Sequence, residues 1–270
     1  MSANPFDLSG RVAVITGGAG LLGIMHARAI HGAGGIPVLI DIAAPSAVDL
    51  RERAGFEVEC ISCDITSEPA LREALAAVLA RHGRVDILVN NAANNPKVEV
   101  ADGLDNSRLE HFPLAQWQAD LDVGLTGAML CSRVFGGEMA RRGKGVIVNI
   151  ASDLALIAPD QRLYAIEGRA AGQQPVKPVS YSVVKTGLIG LTRYLATYWA
   201  QSGVRANVLC PGGVENGQDA VFLRRIAERI PLGRMAAVDE YQGAMLFLCS
   251  DASSYMTGAV LAVDGGRSAW

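Results

Sequence analysis

Tyr181 and Lys185 stand four residues apart in Tyr181–Gln201, a segment that reads as one long helix, so their side chains leave the same face. That pairing can move protons. A free phenol titrates at about pH 10, too high for a base at neutrality, and a neighbouring ammonium favours the phenolate. Tyr181 can then take a proton from a hydroxyl or give one to a carbonyl. Ser152 follows the apolar run Val146–Ile150 and offers a hydroxyl that can hold the reacting oxygen and favour charge developing on it. Each feature alone is ordinary, since tyrosine and lysine at this spacing are common on helix surfaces and a serine after a strand often caps a turn. Their weight comes from the rest of the chain.

Thr16-Gly-Gly-Ala-Gly-Leu-Leu-Gly23 lies between the apolar run Arg11–Thr16 and the helical stretch Leu21–Gly32. A strand, a glycine turn and a helix N-terminus in succession let backbone amides approach a pyrophosphate, whose charge the helix dipole favours. Gly17, Gly20, Leu21 and Leu22 are the positions expected there. The next apolar run, Ile36–Asp41, ends on an acid 24 residues beyond Gly17, as a ribose-binding carboxylate should. Asp41 can accept hydrogen bonds from the free hydroxyls of NAD and would repel the 2′-phosphate of NADP. With no Arg or Lys inside the turn to offset that, the expected cofactor is NAD. Asp64, closing the third run, is placed to accept from the adenine amino group. The small residues of Asn90-Asn91-Ala92-Ala93 leave room for the dinucleotide after the fourth run.

These groups need a scaffold that brings strand ends together. Apolar runs at Arg11–Thr16, Ile36–Asp41, Glu57–Asp64, Val85–Asn90, Val146–Ile150, Val204–Cys210 and Val260–Val263 alternate with helical stretches at Leu21–Gly32, Pro69–His82, Trp117–Arg141 and Tyr181–Gln201. Continuous apolar strands joined by helices predict an α/β fold: a doubly wound, Rossmann-like parallel sheet with helices on both faces. One domain is expected across residues 1–270. Two polar loops, Asn94–Pro113 and Ile157–Ser180, leave the C-terminal ends of strands four and five, where ligands bind in such sheets. They are expected to form the substrate pocket. Lys97, Arg108, His111, Arg162, Arg169 and Lys177 would suit a hydrophilic, anionic, sugar-like substrate. Gln218–Ile230 reads as a short amphipathic helix, either a lid or a packed surface helix.

The sequence resembles the short-chain dehydrogenase/reductase family. The resemblance rests on the Thr16–Gly23 turn, Asp64, Asn90–Ala92, Ser152, Tyr181-Ser-Val-Val-Lys185, Pro211-Gly212 and Asp264-Gly-Gly266, in the family's order over nearly the whole chain. It implies a nicotinamide cofactor, a small-molecule substrate and a homotetramer built on the two long helices. Ser152, Tyr181 and Lys185 become the expected catalytic set, with Lys185 also binding the nicotinamide ribose. Ile65, Asn91, Ala92, Pro211, Gly212 and the backbone amide of Val214 join the expected cofactor contacts. Asn216 could replace the threonine that the family carries after the Pro-Gly turn. Three departures stand out. Gly20 takes the place of a glycine usually found at position 21. Gly124 occupies the position of an asparagine that helps hold a water in the proton relay. Ser152 and Tyr181 are 29 residues apart, far more than usual; Tyr164 is nearer the usual spacing, but Gly168 stands where its lysine should be. Tyr181 is therefore assigned and the excess treated as an insertion. These departures resemble a subgroup linked to bacterial surface-sugar and flagellin-glycan biosynthesis.

The expected activity is an NAD-dependent oxidoreductase (EC 1.1.1.-) interconverting a secondary alcohol and a ketone. The alternatives are a ketone or 3-oxoacyl-thioester reductase and, further off, a non-catalytic dinucleotide sensor. A net charge of −3 with no basic stripe argues against nucleic acid. No apolar run nears the roughly 18 residues of a membrane span, and Met1–Arg11 lacks the pattern of a signal peptide, so a cytoplasmic enzyme is expected. Cys60 and Cys63 form a CxxC within a strand, where residues three apart face opposite sides and cannot share a metal. The histidines show no metal spacing, and no metal is expected.

Overall fold

A computed structural model describes residues 4–94 and 106–270. Part of the first polar loop, with Lys97, lies outside the described residues. Seven strands form one sheet: β1 Val12–Thr16, β2 Ile36–Asp41, β3 Glu59–Ser62, β4 Ile87–Asn90, β5 Gly145–Ile150, β6 Val204–Pro211 and β7 Val260–Val263. Their order is β3-β2-β1-β4-β5-β6-β7 and every pairing is parallel. All the C-terminal ends therefore lie on one edge. The winding direction reverses between β1 and β4, which opens a crevice there. β3 is shorter than the expected Glu57–Asp64 because it is an edge strand that pairs only with Val38–Asp41.

The helices are α1 Leu21–Gly32, α2 Ala47–Ala54, α3 Glu68–His82, α4 Leu114–Leu121, α5 Gly127–Cys131, α6 Gly137–Arg142, α7 Val179–Tyr198, α8 Ala220–Ala227 and α9 Gln242–Cys249. The expected helix Trp117–Arg141 is a continuous rod from α4 to α6, with π-turns at Asp122–Thr126 and Ser132–Gly136 joining its α-helical parts. α2 and α9 were not foreseen. α2 is short, held by the Ser46 hydroxyl accepting from Asp49 N and by Gly55 in the left-handed region at φ 84°. α9 is apolar on most sides and shows no helical stripe.

Successive strand residues feed opposite cores. Val12 and Val14 pack with Leu71 and Val78 of α3, Phe135 and Met139 of the rod and Leu195 of α7. Ala13 and Ile15 pack with Ile24 and Ile30 of α1, Leu50 of α2 and Met245 and Leu248 of α9. Cys63 joins the first core and Cys60 lies against the second, so the CxxC is split by the sheet as expected.

Candidate active site

The glycine turn crosses the crevice. Gly17 has φ 57°, and a Cβ on it would lie 2.8 Å from the Cα of Ala92. A Cβ on Gly23 would lie 2.4 Å from the Gly17 carbonyl, so α1 sits directly on the turn. The Thr16 hydroxyl accepts from the amides of Asn91 and Ala92, both at 3.1 Å. Asn91 Nδ2 donates back to the carbonyls of Thr16 and Gly17 at 3.0 Å. The ends of β1 and β4 are thereby clamped together. Gly20 caps α1 with no side-chain acceptor, and the first turn holds no acid. The amides of Leu21 and Leu22 thus open a positive helix end at the crevice, which fits a pyrophosphate.

Asp41 lies beside this turn. Its Oδ2 accepts from Ala19 N at 3.1 Å and its Oδ1 from Ala43 N at 3.2 Å. Arg53, on the unforeseen α2, donates to the Ala19 carbonyl at 2.5 Å. Its 34-residue separation from the turn left no local signal of a guanidinium there. Asp64 accepts from Thr66 N at 2.9 Å and keeps an exposed carboxylate, while Ile65 is buried against the rod at Gly127.

The proton-transfer candidates meet at the ends of β5 and α7. Ser152 Oγ donates to Asp153 Oδ1 at 2.8 Å and lies near enough to the Tyr181 hydroxyl to favour its ionised form. Lys185 is buried, its Nζ 5.8 Å from the centre of the Tyr181 ring and donating to the Ile150 carbonyl at 2.8 Å. Asp153 is also buried and pairs with buried Arg267 at 2.5 Å. Neither Asp153 nor Arg267 was singled out in the sequence; 114 residues separate them, beyond any local pattern.

A second lysine is closer to the tyrosine. Lys177 Nζ sits 3.8 Å from the centre of the Tyr181 ring. Burial lowers Lys177 to about 8, against the pull of Asp153 and Asp120. Burial and the charge of Lys177 lower Lys185 to about 8. Tyr181 stands above its ordinary value: burial dominates, the Ser152 hydroxyl pulls it down and Asp153 pushes it up. The expected fall of Tyr181 beside Lys185 is therefore not what the isolated chain shows, because desolvation outweighs a lysine tied to a carbonyl. Tyr164 is pushed up to about 12 by burial and packs on Phe222 of α8, with ring centres 5.9 Å apart. Gly168, in the left-handed region, occupies the turn after it.

The two polar segments join. Arg108 donates to the carbonyls of Ala171 and Gln174 at 3.3 and 3.4 Å, and Val176 N donates to Ser107 Oγ at 3.0 Å. A cavity of about 370 Å³ opens between them, its wall largely apolar with Leu109, Val176, Val179 and Val183, and with Arg108, Glu110 and Lys177 at its charged positions. Arg162 does not line it. That side chain is 83 % exposed and held by Asp160 at 2.8 Å, so it is spent on its own turn. α8 is packed rather than free: Arg225 donates to the Ala165 carbonyl at 2.6 Å, and Ile226 shares a core with Leu163 and Met235. Beyond β6, the Gly212 carbonyl accepts from Tyr241 Oη at 2.9 Å, and Gln218 Nε2 donates to the Val214 carbonyl at 2.9 Å. Asn216 N donates to Gln218 Oε1 at 2.7 Å.

A family model described as enoyl-(acyl carrier protein) reductase matches residues 19–268. The galactitol 2-dehydrogenase of Rhizobium johnstonii is 35% identical over 276 residues, covering 98% of each chain. The cis-4-hydroxycyclohexanecarboxylate dehydrogenase of Sinomonas cyclohexanicum is 34% identical over 266 residues, covering 96% of this chain and 97% of that protein. The crystal structure of a gluconate 5-dehydrogenase from Burkholderia cenocepacia, in complex with NADP and tartrate, superposes with a TM-score of 0.83 at 31% identity, over 98% of each chain.

Proposed function

The chain belongs to the short-chain dehydrogenase/reductase family, and from that premise we propose that it interconverts a secondary alcohol and a ketone on a polar, sugar-like substrate with NAD(H). The observation that carries this reading is the meeting of Ser152, Tyr181 and Lys185 at the sheet edge that also carries an uncapped glycine turn. When bound, the nicotinamide supplies the hydride acceptor or donor. The rest falls to the protein. Gly17, Gly20, Leu21 and Leu22 hold the pyrophosphate, Asp41 the ribose hydroxyls and Asp64 with Ile65 the adenine. Asn91 and Ala92 shape the crevice, Lys185 binds the second ribose, and Pro211, Gly212 and Val214 border the carboxamide. Ser152 orients the reacting oxygen, and Tyr181 exchanges its proton with that oxygen.

NAD is favoured over NADP because the Asp41 carboxylate faces the turn and Arg53 is already engaged by Ala19. The Burkholderia relative bound NADP, so this preference belongs to the residues of the present chain. The polar-substrate reading is supported by the likeness to polyol and sugar-acid dehydrogenases, while the cavity itself sets Arg108, Glu110 and Lys177 among Leu109, Val176, Val179 and Val183. A cytoplasmic enzyme is the reading that fits, and among the described residues no helix is long and apolar enough to cross a membrane. The test has two parts. Fluorescence titration should show tighter binding of NADH than NADPH; equal or tighter NADPH binding refutes the cofactor reading. Oxidation should be found among polyols, sugar acids and nucleotide sugars; a neutral long-chain ketone as the best substrate refutes the pocket reading.

A further inference from the structure

We propose that Lys177 is a second lysine of the proton-transfer site, a positioning residue whose ammonium, set over the Tyr181 ring, favours the phenolate that takes up the substrate's hydroxyl proton. The inference rests on the reading of Tyr181 as the proton donor and acceptor. Three observations support it.

Position comes first. Lys177 Nζ is 3.8 Å from the ring centre, whereas Lys185 Nζ is 5.8 Å away and donates to a backbone carbonyl. A cation over an aromatic face is attracted by the ring's electron density, and more strongly once the ring carries the negative charge of a phenolate. Lys177 lies in the inserted segment and is brought to the site by the Val176–Ser107 hydrogen bond and the two turns before it.

The second observation is the charge around the lysine. Two buried carboxylates act on it: Asp153, after β5, and Asp120, on α4. Asp120 is itself held by Ser180 Oγ at 2.5 Å and Gln116 Nε2 at 2.7 Å. Among the described residues, the other groups that face the pair are Ser152, Lys185 on α7, Tyr164 from the inserted segment and Arg267 from the C-terminal turn. Asp153 opposes ionisation of Tyr181, and Lys177 brings a compensating positive charge over the ring. Burial has brought Lys177 down to about 8, so the ammonium is present at neutral pH but is lost just above it.

The third is the space at position 124. A Cβ on Gly124 would lie 2.5 Å from Val184 Cγ1 on α7. A longer side chain there would meet Val184, so position 124 brings no polar group towards Tyr181.

The proton concerned is the substrate O–H proton. It passes to the phenolate oxygen, leaves an alkoxide and gives a neutral phenol. The test uses full-length wild type and the variants Lys177→Met, Lys177→Arg and Tyr181→Phe. Phenolate absorbance is followed against pH with NAD⁺ bound, whose positive ring favours the phenolate and brings its transition towards the range where Lys177 is charged, and the Tyr181 signal is the difference from Tyr181→Phe. In Lys177→Met that transition should move up by about one pH unit or more, equivalent to about 1.4 kcal/mol. Lys177→Arg should keep it near the wild-type position. With galactitol as the probe alcohol, the acidic limb of kcat/KM should move by the same amount, a roughly tenfold loss at a pH below it. An unmoved Tyr181 transition in a folded Lys177→Met protein overturns the proposal. So does a change confined to KM with the pH profile unmoved, since that assigns the lysine to substrate binding. Full turnover by Tyr181→Phe overturns the underlying reading instead.

Discussion

At the scale of single residues the site is a chain of contacts, not a pair on a helix. Arg267 pairs with Asp153, Asp153 accepts from Ser152, and Ser152 lies beside the Tyr181 hydroxyl. A hydroxyl has one proton, so Ser152 favours the Tyr181 phenolate only when it turns that proton from Asp153 to the phenol oxygen. Tyr181→Phe should cut turnover by at least about a hundredfold, the usual share of an acid–base group. NADH affinity should stay within a few-fold of wild type, because the phenol is separate from the dinucleotide turn. Steady-state rates with fluorescence titration check both. Wild-type turnover by the variant would move attention to Tyr164.

Among the elements, the rod and α1 place the chemistry by close approach. A Cβ on Gly127 would meet Ile65 at 2.7 Å, and one on Gly136 would meet Trp199 at 2.6 Å, so the rod's glycines admit side chains from the residue that caps α7 and from the turn after β3. α1 is pressed onto the glycine turn at Gly23 and buries His26, whose two ring nitrogens have no hydrogen-bond partner among the described residues. Burial lowers His26 to about 4. The folded chain therefore keeps the ring neutral, while the unfolded chain binds a proton below about pH 6.5. The stability this gives is fully present above that pH and is lost as pH falls towards 4, by up to about 3 kcal/mol. Urea unfolding at pH 7 and pH 5 should show the loss in wild type, and His26→Leu should show a smaller slope. An identical slope in the variant would mean that other groups carry the pH dependence.

For the whole molecule, the exposed faces bear on assembly. Tyr194 and Tyr198 on α7 are 61% and 63% exposed and stack on each other with ring centres 5.4 Å apart. Leu114, at the start of the rod, is 79% exposed. Apolar surface of this kind on two long helices is what a subunit contact covers. We expect a homotetramer in which α7 and the rod meet their copies. Sedimentation at micromolar concentration should give four chains per particle; a monomer would refute the assembly.

Local order settled much of this protein in advance. Alternating apolar runs and helices dictate the parallel sheet, and the Gly17–Gly23 turn with Asp41 at the next strand end marks the crevice, because these features depend on neighbours in the chain. The i, i+4 spacing of Tyr181 and Lys185 likewise follows from helix geometry alone. What tertiary structure decided is what joins distant segments. Arg53 at Ala19, Arg267 on Asp153 and Lys177 over Tyr181 arise from packing that no periodicity records. The same holds for Arg162, which lies in the right loop yet is turned outward by Asp160 two residues before it. α2 escaped notice because it is short, and α9 because a helix apolar nearly all round has no stripe to read. The direction of the Tyr181 shift also depended on burial, since desolvation is a property of the assembled interior and a sequence shows only which charges are near in the chain.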